Sequence, residues 1–591
     1  MYKHFSLLAL VAALVLAACS SDDDLDAAAT SDSDASSTYM AVNIYMSSDA
    51  ATRSTSTVSS DGYETGTQAE YAIDFKNSIF LFYASDGSYL TGVTPEETSG
   101  SVNSATDTNT DYVEYTTSAI LVLSPTTLTP AYMVGVFNDA STSTYKGMSL
   151  TQLQEALFTE SNDVNTNLLM SNAVKYDGSD FSFATSISST DIKESATEAT
   201  NSPVDMNVER AKARVAIGVT TDNFTTSESS TTTYTYTLKE TDDDGNTTTT
   251  DRTFTYYYVG TDGNLTSVSD ATVDITINGW AVNAYNQTGY VIKNYSNNGT
   301  ELSSDITGTS DAPGGAWGEN WYSSYRIFWA VDGNYAAETS TDDSWGLKYW
   351  SWTGVTTQTT PCSTDAAYYY EQTLDPNATT GYNDGQTAYA PTLLVAATVG
   401  VNADGATEAD GAGDDIFLSY GEVLYSESAV YAKILSIIEG LGVTLGDDET
   451  ISEITWETKE ASKGTVVIKS ITMSGSTDVS SYISDINNDD FISNGTSEED
   501  ATAYYLRKYD GGASYYQVPI QTYISSTDGS PYGLVRNTAY RITINSVTGI
   551  GAGVPNPSEE LTEIPEEDET GHLAAKINIL AWRLSSQSVD L

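Results

Sequence analysis

Apolar and polar positions alternate from Tyr39 to Met46, with Met40, Val42, Ile44 and Met46 on one parity, the pattern of a strand with one buried face. Further strand-like runs stand at Ile79–Tyr83 and at residues 119–123, 131–137 and 181–187, each closed by turn residues. A short helix is expected over 150–158 behind Ser149 as N-cap. A longer one is expected over 428–441, with Val430, Ile434, Ile437 and Leu441 on one stripe and Gly440 and Gly442 at its end. Residues 232–238 and 253–259 flank an Asp-rich turn at 242–246 and predict a protruding Thr/Tyr hairpin. Another strand at 273–277 leads to a division expected between 285 and 286. Long helical periodicity is nearly absent, so the chain reads as an all-β protein of packed sheets, too long for one core.

The two ends carry the most specific patterns. Near the carboxy terminus Ile577 and Ile579 alternate with polar neighbours. Leu580, Trp582 and Leu584 then take the opposite parity, and Val589 and Leu591 close the chain. This is a strand with two apolar faces joined at a kink, or an ordinary last strand folded back onto its own domain. Pro555, Pro557, Pro565 and the acidic run 566–569 predict a polar tether before it, so residues 557–591 are read as tether and strand. At the amino terminus an apolar run over 5–16 ends in Leu-Ala-Ala-Cys19, a lipoprotein signal over 1–19 with lipid attached at Cys19. A Ser/Asp-rich leash follows, and Arg53 is the sole Lys or Arg between Lys3 and Lys76. A trypsin-like protease would cut between Arg53 and Ser54, in a polar loop just after the first strand.

Charge and composition narrow the function. With 24 basic and 81 acidic residues the net charge is −57, which repels phosphate backbones and argues against nucleic-acid binding. Only Cys19 and Cys362 are present, so lipidation of the first leaves no intrachain disulfide. His4 and His572 lie in the signal and the tether, so the body offers no histidine for a Ser-His-Asp or Cys-His site or for zinc. The Asp485–Asp489 run has the first spacings of a calcium loop but lacks its Gly and its terminal Glu, and the Gly-rich 402–413 lacks the Lys-Ser/Thr of a phosphate cradle. Neither a metal nor a cofactor is expected. Arg210, Lys212 and Arg214 share one parity of a strand and read as a solvated basic face. Six of the nine Trp fall between Trp317 and Trp352, where core or rim packing is the first reading.

Taken in order, several segments resemble the major fimbrial subunits (fimbrillins) of Bacteroides-type, or type V, pili. They are the lipobox at Cys19, the strand before Arg53, Val-Glu-Arg-Ala-Lys-Ala-Arg at 208–214, Ser-Tyr-Arg-Ile-Phe-Trp at 324–329, Tyr-Tyr-Tyr-Glu-Gln-Thr-Leu at 368–374, Gly-Leu-Val-Arg-Asn-Thr-Ala-Tyr at 533–540 and the ending from Trp582. The resemblance implies two transthyretin-like β-sandwich domains with a few short helices, here over 54–285 and 286–556, plus an extended C-terminal donor strand. It implies a structural fimbrial subunit rather than an enzyme, serving adhesion and biofilm formation. Export as a lipidated outer-membrane precursor would be followed by removal of 20–53 by an Arg-specific protease. The donor strand (Ile577, Ile579, Leu580, Trp582, Leu584, Val589, Leu591) of another copy, or of a related anchor or tip subunit, would then fill the place of Met40, Val42, Ile44 and Met46. The competing reading, suggested by 41 Tyr and the Trp cluster, is a monomeric surface glycan-binding lipoprotein that keeps 38–53 attached. A hydrolase using paired carboxylates is a third, with no pair singled out by the sequence.

Overall fold

The computed structural model describes residues 38–47, 73–95, 103–106, 113–123, 129–158, 168–176, 181–219, 232–297 (without 236 and 242–246), 300–301, 332, 347–357, 367–373, 391–403, 414–419, 423–493, 504–520, 533–562 (without 548), 573–580 and 584–586. Strands dominate and the helices are short, so the chain is all-β.

The first half is a curled sheet. Its main strands are β1 (Thr38–Ser47), β2 (Ile79–Tyr83), β3 (Val113–Leu123), β4 (Tyr132–Phe137), β5 (Met170–Asn172) and β6 (Val204–Arg210), in the spatial order β2-β4-β5-β6-β1-β3. The curl brings alternate residues together. Met40, Val42 and Ile44 meet Phe80, Phe82, Leu121, Met133, Phe137, Met206 and Val208 in one core. The opposite parity of β2 and β4 packs in a second core with Leu153 of a short helix α1 (Leu150–Gln154), whose Ser149 cap forms a capping box with Gln152. Of the helix expected over 150–158 only these five residues are helical. Beyond them Leu157–Phe158 is extended and pairs with Gly289–Tyr290.

The chain leaves this sheet at Ala211. β7 (Lys212–Val219) begins directly after it and runs parallel to β13 (Ala539–Val547). β7 and β13, flanked by β10 (Ala367–Tyr370), form one wall of the second half. The other wall holds β8 (Thr253–Val259), β9 (Leu265–Asn283), β11 (Thr392–Asn402) and β12 (Ala513–Pro519). Inward residues of both walls, among them Val215, Tyr256, Val273, Val395, Tyr516, Tyr540 and Ile542, make one sandwich core. The chain thus passes from the first sheet to the second at 211. Residues 272–283, expected in the first domain, are paired with 392–402 of the second, a partner too distant in sequence for a local pattern to announce.

The nineteen-residue β9 also corrects the hairpin. It is long enough to offer one edge to two strands, so β8 pairs with Leu265–Thr272 while Thr232–Thr235 lies on Asp274–Ile277. The two-stranded hairpin is made by Thr237–Thr241 and Thr247–Asp251 instead. Arg210, Lys212 and Arg214 are buried and not a solvated face, since β10 pairs along 212–215 and Asn537 packs against Arg210 and Lys212. Lys212 Nζ stands 4.7 Å from the Tyr370 ring centre.

Trp350 and Trp352 pack as expected. Their indole N–H groups donate to Val282 O (3.1 Å) and to Ser514 O (3.0 Å), and both rings lie against the core of Ala281, Val355, Leu394 and Tyr515. The other four Trp of that cluster lie outside the described residues. The helix expected over 428–441 is Glu427–Gly440, capped by Ser426, and its buried stripe is Ala429, Val430, Ile434 and Ile438, with Leu441 exposed. Asn487, one of the calcium-loop residues, binds the backbone of Ile468 through Oδ1 (2.8 Å) and Nδ2 (2.8 Å). Residues 554–562 pack against the second half. Val554 and Leu561 are buried, and Leu561 N donates to Trp350 O at 3.0 Å.

The sandwich core of the second half is rich in tyrosine. Val282 N donates to the Tyr369 hydroxyl (3.1 Å), Val535 N to that of Tyr540 (2.8 Å), and the Tyr509 hydroxyl donates to Gly551 O (3.0 Å). Burial pushes the Tyr369 hydroxyl far above its ordinary value.

Candidate functional site

The site is the slot that β1 occupies. β1 is an interior strand, antiparallel to β3 along its whole length from Thr38↔Leu123 to Ser47↔Glu114 and parallel to β6 from Val42↔Val204 to Tyr45↔Asn207. Where β6 stops, the wall is continued by Lys193. Tyr39 N donates to Lys193 O and Lys193 N to Tyr39 O, both at 2.8 Å. Between these two wall segments sits the helix α2 (Ala196–Asn201), held by Ser195 at its N-cap.

The faces of β1 differ chemically. Met40, Val42 and Ile44 are each 0% exposed, which makes this side of the slot a row of apolar pockets. At such burial each aliphatic side chain contributes about 1.5–3 kcal/mol. On the other face Asn43 bridges the two walls, accepting from Ser118 Oγ at 2.9 Å and donating to Asp205 Oδ1 at 3.3 Å. An occupant of the slot is thus read by alternate apolar pockets below and by one amide above. Periodicity points to the apolar row. Lys193, Asn43, Ser118 and Asp205 carry no sequence signal of their role, because only the fold brings them to one strand.

The sequence-predicted residues divide unevenly. Met40, Val42 and Ile44 come together in the slot, and Met46 lies on the same strand at the position opposite Tyr115. Cys19, Arg53, Ser54, Trp582, Val589 and Leu591 fall outside the described residues. Ile577, Ile579 and Leu580 lie on β14 (Leu573–Leu580) and Leu584 on β15 (Leu584–Ser586). β14 is seated within its own chain, antiparallel to β13 from Ala539↔Leu580 to Val547↔Leu573, and β15 turns back on it through Asn578↔Ser586, Ile579↔Ser585 and Leu580↔Leu584. The change of parity at Leu580 is thus realised as a chain reversal in place of a kinked single strand. The tail in this structure is a hairpin on the second half, the fold-back alternative of the two that its pattern allowed.

Residues 507–588, which contain β12 through β15, match the family model described as major fimbrial subunit protein type IV, fimbrillin, C-terminal. No curated relative matches the chain. Among solved structures, a putative cell adhesion protein from Parabacteroides distasonis ATCC 8503 is 10% identical at a TM-score of 0.32, covering 91% of this chain and 99% of its own. A fimbrilin from Porphyromonas gingivalis W83 is 12% identical at a TM-score of 0.31, covering 93% and 98%. A fimbrial assembly protein from P. distasonis is 9% identical at a TM-score of 0.26, covering 61% and 81%. Superpositions this loose say nothing further about the slot.

Proposed function

From a chain whose residues 507–588 belong to the fimbrillin carboxy-terminal family, we propose a structural, non-enzymatic subunit of a cell-surface fimbria, assembled by exchange of strands between copies. The observation that carries this reading is the position of β1. It fills the middle of a sheet, yet its walls are later parts of the chain, joined to it through 48–72, where Arg53 stands. Cutting after Arg53 frees a strand whose loss opens an apolar, backbone-lined slot, and such a slot is completed by adding another strand. A head-to-tail contact of this kind that does not close makes a filament.

The donor in this reading is the tail. Among the described residues β15 pairs with β14 at three positions, so opening the hairpin releases Leu584 at little cost, while release of β14 itself strips the edge of β13. The precursor travels as a lipoprotein acylated at Cys19, is trimmed by an Arg-specific protease at the surface, and joins other copies or related anchor and tip subunits in adhesion and biofilm formation. Mass spectrometry of surface-extracted protein tests the reading. A start at Ser54 in the polymer supports it. Polymer that retains Cys19 and the 38–47 strand overturns the exchange.

A further inference from the structure

The halves on either side of Ala211 meet over buried charge. Val291 and Ile292 follow β9 in the chain, yet both are 0% exposed inside the first-half core of Ile79, Leu81, Val134, Val136 and Leu153. Hydrogen bonds to the Val291 backbone hold them there, from Val291 N to Ala156 O (3.0 Å) and from Ser171 Oγ to Val291 O (2.7 Å). The next residue, Lys293, places Nζ 3.1 Å from Glu209 Oε2 of β6, with side-chain exposures of 0% and 1%.

The second half grips the same segment from its other side. Arg536 binds Glu371 through Nε (3.0 Å) and donates from its two terminal nitrogens to Tyr290 O (2.7 Å) and Val291 O (3.4 Å). Arg210 Nη1 donates to Asn537 Oδ1 (3.1 Å), and Asn537 N donates to Lys212 O (2.9 Å).

We infer that residues 289–293 are a shared plug that makes the two halves one mechanical body, completing a core of the first half, tied to it by the Lys293–Glu209 ion pair and to the second half by the Arg536 guanidinium, itself paired with Glu371. A buried ion pair adds little over an apolar pair of the same shape, but separating its members is expensive because a bare charge stays buried. Such pairs therefore fix geometry. The halves cannot swing about Ala211 without drawing Lys293 from Glu209 or the 290 and 291 carbonyls from Arg536. The plain alternative is a passive connection between independently stable halves.

Hydrogen exchange on the unassembled full chain separates the two, and it is independent of the fimbrial reading because no polymer is involved. Lys293→Met leaves Glu209 buried without its cation and is expected to speed exchange of 79–83, 132–137 and 204–210 about a hundredfold. The double change Glu209→Leu with Lys293→Met removes both charges and is expected to recover most of that protection. Val291→Ala, which leaves the ions in place, is expected to loosen the same strands more mildly. Faster exchange confined to 289–293 in Lys293→Met, or a Val291→Ala effect restricted to the second half, overturns the shared plug.

Discussion

Removal of β1 is the perturbation with the clearest magnitude. Met40, Val42 and Ile44 are all fully buried, so their withdrawal forfeits roughly 5–9 kcal/mol at about 1.5–3 kcal/mol per side chain. That loss is comparable with the total stability of a domain, about 5–15 kcal/mol. The backbone groups of residues 117–123, 204–207 and Lys193 lose their partners as well. A chain spanning 54–580 should accordingly have a loosened first half. A synthetic peptide of residues 38–47 should bind it and restore order, since anything that binds only the folded form stabilises it by mass action. At a hundred times its Kd the peptide adds about 2.7 kcal/mol, a hundredfold fall in opening. Hydrogen exchange of β3 and β6 with and without peptide reads this directly. A peptide carrying Asp in place of Val42 should give no protection, because its carboxylate would be buried without a partner. If 54–580 protects β3 and β6 as well as the intact precursor does, or if both peptides act alike, the slot is not a strand acceptor.

Arg53→Ala should leave β1 seated and give no laddered, heat-sensitive oligomers on unboiled gels, with export unchanged. Stopping the chain after Leu580 should give a folded monomer without filaments. Stopping it after His572 should in addition lower the melting temperature, since the edge of β13 loses β14. Ile44→Ala should cost about 2–5 kcal/mol in chemical denaturation. Acid should loosen the turn at 446–477. Glu449 accepts from Thr477 Oγ1 and from Gly446 N and Thr477 N, which hold its carboxyl below the usual range. Its contribution is present above the ordinary carboxylate value and lost as pH falls through the lower folded one. Amide exchange at Gly446 and Thr477 should rise there, and Glu449→Gln should remove the pH dependence.

What the sequence announces and what it conceals follow from the range of the interactions. β1 is legible because a half-buried strand writes its own period, and Ser149 announces its helix because capping is local. The joint at Ala211 is not. Charged residues alternating with Ala and Val look solvated until β10 and Asn537, more than 150 and 320 positions away, cover them. Nor does the hairpin at Leu580 show itself, since opposite apolar parities describe a kinked strand and a reversal equally well. For the slot, the pockets were readable but not their walls, because Lys193 and Asp205 act through position alone.

The buried tyrosines give the molecule a built-in optical gauge. Unfolded tyrosine ionises near 10, whereas burial keeps Tyr369 neutral far beyond that, as it does Tyr83 and Tyr145 in the first half. A group whose folded value is raised contributes its stability in full below the unfolded value and loses it as pH climbs past 10. Alkali therefore drives unfolding, and phenolate absorbance reports it. Exposed rings will ionise first, along a smooth curve. The buried set will ionise only when its core opens, as a late and abrupt rise in ultraviolet absorbance whose position on the pH axis measures how firmly each half is closed.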